Sequence, residues 1–269
     1  MLKTLLTRWH QGSRTMAYPD GPAPALPERF RGRPVLDAAR CPDGCRECVA
    51  ACPTGAIAPM TTAAGAASLR VDLGRCLFCT ECMDACPEGA VAYSRDHRLA
   101  TRTREALRVE GHGTLALAQA LERKALSLFG RSLKLRQVSA GGCNACEADV
   151  NVLTTIGWDL SRFGIQFVAS PRHADGLLIT GCVSGNMKFA LEKAYAAVAP
   201  PKIVIAVGAC AISGGPYIGM PRQHDGAGGT VPIDLYIPGC PPHPLTILDG
   251  LLRLLNRLPE GRKGIVDGR

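Results

Sequence analysis

The run Cys76-Leu-Phe-Cys79-Thr-Glu-Cys82-Met-Asp-Ala-Cys86-Pro87 spaces four thiols as C-x2-C-x2-C-x3-C-P. Loops this short let three sulfurs converge on one face of an iron–sulfur cube, while the fourth, set off by a longer gap and a proline, reaches a neighbouring cube. Soft thiolate suits mixed-valence iron, and backbone N–H groups of such a loop point at cluster sulfur and tune its potential. An upstream copy exists: Cys52-Pro-Thr-Gly-Ala-Ile-Ala58 recurs as Cys86-Pro-Glu-Gly-Ala-Val-Ala92, an offset of 34 that maps Cys45, Cys48 and Cys52 onto Cys79, Cys82 and Cys86. Cys41 misses Cys76 by one residue, so one half carries an insertion, and Pro42-Asp43-Gly44 reads as a tight turn that takes it up. Crossing the fourth ligands assigns Cys41, Cys45, Cys48 and Cys86 to one [4Fe-4S] cluster, and Cys52, Cys76, Cys79 and Cys82 to a second. A zinc-binding structural scaffold is the reading from a different class, but zinc ribbons use two separated pairs rather than such a run.

The spacing is that of bacterial ferredoxins. Residues 15 to 95 resemble the two-cluster ferredoxin subunits of complex I and of energy-converting [NiFe] hydrogenases, and the likeness extends through Tyr18-Pro19 and Arg29-Phe-Arg-Gly-Arg-Pro34. In that family the preceding segment lies near the membrane.

Five further cysteines follow: Cys143, Cys146, Cys182, Cys210 and Cys240. Cys143, Cys182, Cys210 and Cys240 each come just after an expected strand. In an open α/β sheet the carboxyl ends of strands gather ligands, so these positions converge on one site. Cys143-Asn-Ala-Cys146 leads into a helix whose N-terminal amides favour an anionic cluster. Gly141, Gly142, Gly208, Gly214, Gly215 and Gly239 crowd the same strand ends, where backbone without side chain approaches a bulky group.

The words Gly142-Cys-Asn-Ala-Cys-Glu147, Ser170-Pro-Arg-His-Ala-Asp175, Gly208-Ala-Cys-Ala-Ile-Ser-Gly-Gly215 and Ile237-Pro-Gly-Cys-Pro-Pro-His-Pro244 resemble the small subunit of membrane-bound, energy-converting [NiFe] hydrogenases over residues 130 to 258. The same fold serves complex I in the subunit that carries its terminal cluster. The resemblance implies that Cys143, Cys146, Cys210 and Cys240 bind a third [4Fe-4S] cluster, proximal to a partner's active site. It also implies a hydrogenase large subunit as catalytic partner, with the nickel bound there, membrane subunits of the same complex, and a low-potential electron donor or acceptor protein. No catalytic residue is expected in this chain. Complex I generally carries two adjacent cysteines at the first ligand site; the C-x2-C here favours the hydrogenase branch over a quinone-reducing module. Cys182 reads either as a small buried residue or as a substitute ligand. Glu147 reads either as a proton relay or as a carboxylate favoured by the helix dipole.

The elements that position these residues follow from periodicity. Leu135 to Ala140, Gly164 to Ser170, Gly176 to Thr180, Ile203 to Gly208 and Val231 to Pro238 read as strands. Glu147 to Ile156, Met187 to Val198 and Pro244 to Leu258 read as helices, and the alternation predicts a parallel sheet. Between Arg98 and Arg136 nine Lys or Arg face three Glu, and Leu117, Leu121, Ala125 and Leu128 recur at helical spacing before Gly130. That segment reads as a helix with a glycine stop, its charges either a solvated face or a docking surface.

The expected fold is an α+β two-cluster ferredoxin domain followed by an α/β parallel-sheet, flavodoxin-like proximal-cluster domain. Residues 1–27 form a basic leader and Pro-rich strap, 28–97 the ferredoxin-like domain, 98–131 a basic helical linker and 132–269 the proximal-cluster domain. Leu2, Leu5, Leu6 and Trp9 read either as part of a frayed terminus or as a short amphipathic surface anchor.

With 269 residues, 46% hydrophobic and 20% charged, the chain is expected to fold as one large domain or two small ones. No apolar run reaches the roughly 18 residues of a membrane span, and Leu2 to Leu6 is short for a secretory signal. The protein is expected in the cytoplasm, on the inner face of the membrane within a complex. Thiols are reduced there, so thirteen cysteines point to metal rather than disulfides. The net charge of +8 does not call for nucleic acid, because each oxidised cube with four thiolates carries about −2. No G-x-G-x-x-G or G-K-[ST] follows a strand, which excludes the nucleotide loops.

Overall fold

The structure, a computed structural model, describes residues 2–42, 44–61, 67–110 and 113–258. It opens with α1 (Leu2–Gln11), none of whose residues is buried. The proline-rich segment after it has no regular helix or strand and turns locally, the Gly21 N–H donating to the Ala17 carbonyl at 2.9 Å; Arg162 ties it down by donating to the carbonyls of Met16 and Tyr18 at 2.6 Å each. The Tyr18 hydroxyl donates at 3.1 Å to Asp249, a fully buried carboxylate that also takes Arg253 Nε at 2.7 Å. A buried carboxylate held by a cation and a hydroxyl is satisfied; removing either donor would leave a buried charge short of a partner.

The cysteine-rich half comprises β1 (Pro34–Leu36), α2 (Glu47–Ala51), β2 (Ile57–Thr61), β3 (Ala67–Asp72), α3 (Glu81–Asp84), β4 (Val91–Tyr93) and β5 (Arg108–Glu110). β1 and β4 pair antiparallel with Pro34 opposite Tyr93, and β2, β3 and β5 form a second antiparallel sheet. The internal repeat is visible in the backbone: α2 begins at Glu47 and α3 at Glu81, one offset of 34 apart. β5 falls in the segment expected as linker, yet it completes this sheet on β3.

The second half runs through α4 (Arg123–Phe129), β6 (Leu133–Ser139), α5 (Ala145–Val152), β7 (Ile165–Phe167), β8 (Gly176–Thr180), α6 (Gly185–Ala197), β9 (Ile203–Val207), α7 (Ala209–Ser213), β10 (Leu235–Ile237) and α8 (Pro244–Leu254). All five expected strands are present and pair in parallel, in the order β10-β9-β8-β6-β7. β8 and β9 are buried at every position, which is why they read as unbroken apolar runs. Their side chains alternate between faces: Leu178 packs with α5 and α8, Leu177 and Ile179 with α6. α8 begins as expected with Pro244 at its first turn, and His243 Nδ1 caps it by accepting the Leu245 N–H at 3.1 Å.

Two expectations change. The helix before Gly130 starts only at Arg123, because the Ala118 and Leu121 N–H groups bond instead to the carbonyls of Ala100 and Leu254. Leu128 is exposed, Phe129 is the buried residue, and Gly130 at φ −63° is no left-handed cap. α7, which carries Cys210, is a helix that the apolar pattern does not announce, being five residues long.

The two halves share contacts. Thr101 bridges Tyr236 on the edge strand β10 through two backbone bonds of 3.0 and 2.9 Å. Arg102 Nε donates to the Asp234 carbonyl at 2.7 Å, and Ser213 Oγ to the Gly74 carbonyl at 2.8 Å. Arg104 grips Asp72 through two 2.7 Å bonds. Part of the basic segment thus holds the halves together. Ala206, Ala211 and Ile212 pack into the core of the cysteine-rich half, so the sites of both halves sit on one continuous scaffold.

Candidate metal centres

Cys41, Cys45, Cys48 and Cys86 line one cavity; Cys52, Cys76, Cys79 and Cys82 line another, together with Tyr93. In the cavities Cys86 thus stands with the upstream three cysteines rather than with its own run, and Cys52 with the downstream three. The fourth residue of each set arrives on a Cys-Pro loop after a short helix. At the insertion, the Cys45 N–H bonds to the Pro42 carbonyl at 3.1 Å and Gly44 takes φ +77°, as a turn requires. Asp43, the centre of that expected turn, lies outside the described residues.

The backbone around these sulfurs supplies donors. Ala56 N–H donates to Cys52 Sγ at 3.1 Å, and its counterpart 34 residues on, Ala90 N–H, donates to Cys86 Sγ at 3.2 Å. Phe78 N–H donates to Cys76 Sγ at 3.3 Å. Phe78 and Thr80, either side of Cys79, both take positive φ, which wraps the loop around the sulfurs. Tyr93, which belongs to no motif in the sequence, places its hydroxyl 3.6 Å from Cys82 Sγ.

The third set stands at the carboxyl ends of the parallel strands. Cys143 and Cys146 follow β6, Cys210 follows β9 and Cys240 follows β10, around the point where strand order reverses between β6 and β8. Cys146 feels the charge of Cys210, Cys240 and Cys143, and Cys210 that of Cys240, of the neighbouring Cys182 and of Cys143. Cys146 and Cys210 are buried, whereas Cys143 and Cys240 are exposed, so this site opens at the surface. Gly208, at φ +89°, is indispensable to the geometry: a Cβ there would lie 2.5 Å from Cys146 Sγ.

Cys182 is buried beside this set, its single S–H within reach of two acceptors, Gln223 Oε1 at 2.9 Å and the Gly141 carbonyl at 3.3 Å. It has the partners of a buried structural residue. Glu147, also buried, accepts from Ser139 at 2.6 Å and Thr180 at 2.7 Å, both on Oε1.

The thiols feel one another's charges within each set and, more sparsely, between sets. Burial first, then the charges of Cys41, Cys82, Cys86 and Cys45, pushes the Cys48 thiol up to about 11. Burial raises Cys76 to about 12 and Cys210 to about 12, with neighbouring sulfurs adding to the shift. Cys41, Cys82, Cys146 and Cys240 are raised for the same leading reason. The Tyr93 phenol is raised too, by burial and then by the Cys76 charge. Clustered thiols of this kind keep their protons until a cation offsets the repulsion among four thiolates. The donor set, all sulfur and supplied with N–H groups, fits [4Fe-4S] clusters in this respect. Among the described residues no three His, Cys, Asp or Glu stand at the spacing of a single metal ion; a four-iron cube holds its thiolates farther apart than one ion does.

Comparison with known proteins agrees in outline. Residues 39–90 match the 4Fe-4S dicluster domain, and residues 143–254 match the NADH ubiquinone oxidoreductase 20 kDa subunit. The chain is 38% identical over 138 residues to a probable membrane-bound hydrogenase subunit of Pyrococcus furiosus, covering 51% of this chain and 83% of that one. It is 41% identical over 135 residues to formate hydrogenlyase subunit 7 of Escherichia coli, covering 50% of this chain and 53% of the relative, so it spans about half that protein's length. It is 36% identical over 126 residues to an NADH-quinone oxidoreductase subunit of Symbiobacterium thermophilum, covering 46% of this chain and 69% of that one.

Proposed function

The chain belongs to the family of the NADH ubiquinone oxidoreductase 20 kDa subunit, joined here to a 4Fe-4S dicluster domain, and from that premise we propose that it is the electron-transfer subunit of a hydrogenase-type complex. Three [4Fe-4S] clusters, when bound, would carry electrons to or from the nickel–iron active site of a large subunit. The observation that carries this reading is that two cavities are each lined by four cysteines while Cys143, Cys146, Cys210 and Cys240 follow the carboxyl ends of the parallel strands. The sets also have an order. Cys48 of the first feels the charge of Cys82 of the second, and Cys240 of the third feels the charge of Cys79 of the second. Coulombic coupling falls with separation, so Cys52, Cys76, Cys79 and Cys82 form the middle station.

Cys143 and Cys240, exposed at the strand ends, mark the face that the catalytic partner would cover. The strand order supports the flavodoxin-like reading of this half, whereas the pairing of β5 with β3 favours counting part of the 98–131 segment with the ferredoxin-like unit rather than as a linker. A quinone-reducing, complex I-like role is the second reading, favoured by the match to the 20 kDa subunit. Isolation of the intact complex separates the two: hydrogen-dependent dye reduction supports the hydrogenase role, and hydrogen-independent quinone reduction overturns it.

The Leu2, Leu5, Leu6 and Trp9 side chains, at i, i+3, i+4 and i+7, share one face of α1 and are 50 to 85% exposed. Lys3 and Arg8 accompany them and no acidic residue precedes Asp20. This composition suits an anionic membrane surface, and among the described residues no helix is long and apolar enough to span one. The protein is expected to sediment with phosphatidylglycerol vesicles, with blue-shifted tryptophan emission. Trp9→Ala with Leu5→Ala is expected to abolish sedimentation while leaving the iron content unchanged; equal sedimentation of both proteins would refute the anchor.

A further inference from the structure

The internal repeat makes the two sites of the first half near copies, and one position breaks the likeness. The offset of 34 that carries Cys48 onto Cys82 carries Pro59 onto Tyr93. Both positions lie in strands, Pro59 in β2 and Tyr93 in β4. Pro59 has no hydrogen-bond donor, whereas the half-buried Tyr93 sets its hydroxyl 3.6 Å from Cys82 Sγ. Cys82 is otherwise matched to Cys48: each is buried, and each sits second in its short helix. Tyr93 is held in place by its pairing with Pro34 and packs with Cys76 and Phe78 among buried apolar groups.

We propose that Tyr93 is a positioning residue for electron transfer: its hydroxyl donates to the Cys82 thiolate and raises the reduction potential of the middle set, making the two halves of the repeat unequal. The inference rests on the ligand sets proposed above. Its sign follows from charge. One electron enters, the negative charge on the sulfurs grows, and an O–H donor stabilises the more negative state more than the less negative one. No proton is transferred; the hydroxyl keeps its hydrogen. The same donor at the Pro59 position is absent, so the outer set lacks this contribution. Because the middle set also neighbours the third, the hydroxyl biases electrons toward the station next to the strand-end site.

The test uses the full chain, reconstituted anaerobically with iron and sulfide, in wild type and Tyr93→Phe. Phenylalanine keeps the ring and its packing and removes only the donor. EPR-monitored redox titration is expected to show one midpoint potential lowered and the other two unmoved, at unchanged iron content. Three unmoved potentials, or three that shift together, would overturn the role of Tyr93 while leaving the ligand sets intact. Should Tyr93→Phe fail to take up iron, wild-type protein carrying ring-deuterated tyrosine replaces it. Deuterium coupling to one reduced cluster is then expected by ENDOR, and its absence overturns the proposal. An unsubstituted protein that takes up no iron overturns the ligand sets themselves, and with them this inference.

Discussion

Substituting Cys86 by alanine is expected to remove the cluster held by Cys41, Cys45 and Cys48, although Cys86 belongs in sequence to the run that starts at Cys76. Cys41 and Cys86 line one cavity, whereas Cys52 lines the other with Cys76, Cys79 and Cys82. Each single loss of a ligand costs about four irons, or one iron where a three-iron remnant survives. Pairs of substitutions separate the crossed assignment from an uncrossed one. Cys41→Ser with Cys86→Ala hits one set twice and should lose no more than about four irons, since the second change acts on a site already gone. Cys41→Ser with Cys52→Ala hits both and should lose about eight. The uncrossed arrangement predicts the opposite pairing, so iron analysis of the two double variants decides between them.

The second large effect is expected at Gly208. Its φ of +89° is unfavourable for any residue with a side chain, and an added Cβ would lie 2.5 Å from Cys146 Sγ. With ψ 156° this is a backbone region essentially reserved for glycine, where strain alone is about 1 to 3 kcal/mol, and the sulfur contact adds to it. A shifted Cys146 leaves the third set with three ligands. Gly208→Ala should therefore lose about four irons from the strand-end site while the first two sets stay loaded. Unchanged EPR of all three clusters in this variant would contradict the placement of the third site.

Much of this was legible in the residues because the chemistry is local. The C-x2-C-x2-C run, its C-x3-C-x2-C copy, the offset of 34 and the Cys-Pro loops point to which sulfurs stand together, since short loops leave little freedom. The strands were legible for a different reason: β8 and β9 are buried throughout, so burial writes itself as apolar runs. Where backbone bonds go to distant partners, sequence pattern misleads. Leu117 and Leu121 keep helical spacing but lie outside any helix, because Ala118 and Leu121 donate to Ala100 and Leu254 instead of to their own turn. β5 was hidden among basic residues because its pairing with β3 is set by tertiary contact. Tyr93 carried no motif; only comparison of repeat positions, with Pro59 as its counterpart in the first copy, singles it out. Cys182 illustrates the reverse case, a thirteenth cysteine whose thiol the fold engages with Gln223 and Gly141.

Three sulfur sets loaded together in one chain underlie every expectation above, and the most direct measurement is iron content with EPR on protein isolated and reconstituted without oxygen. About twelve irons per chain and, after dithionite reduction, signals from interacting [4Fe-4S] clusters are the predicted result. Far fewer than twelve irons with no reduced signal, or zinc in their place, would contradict it.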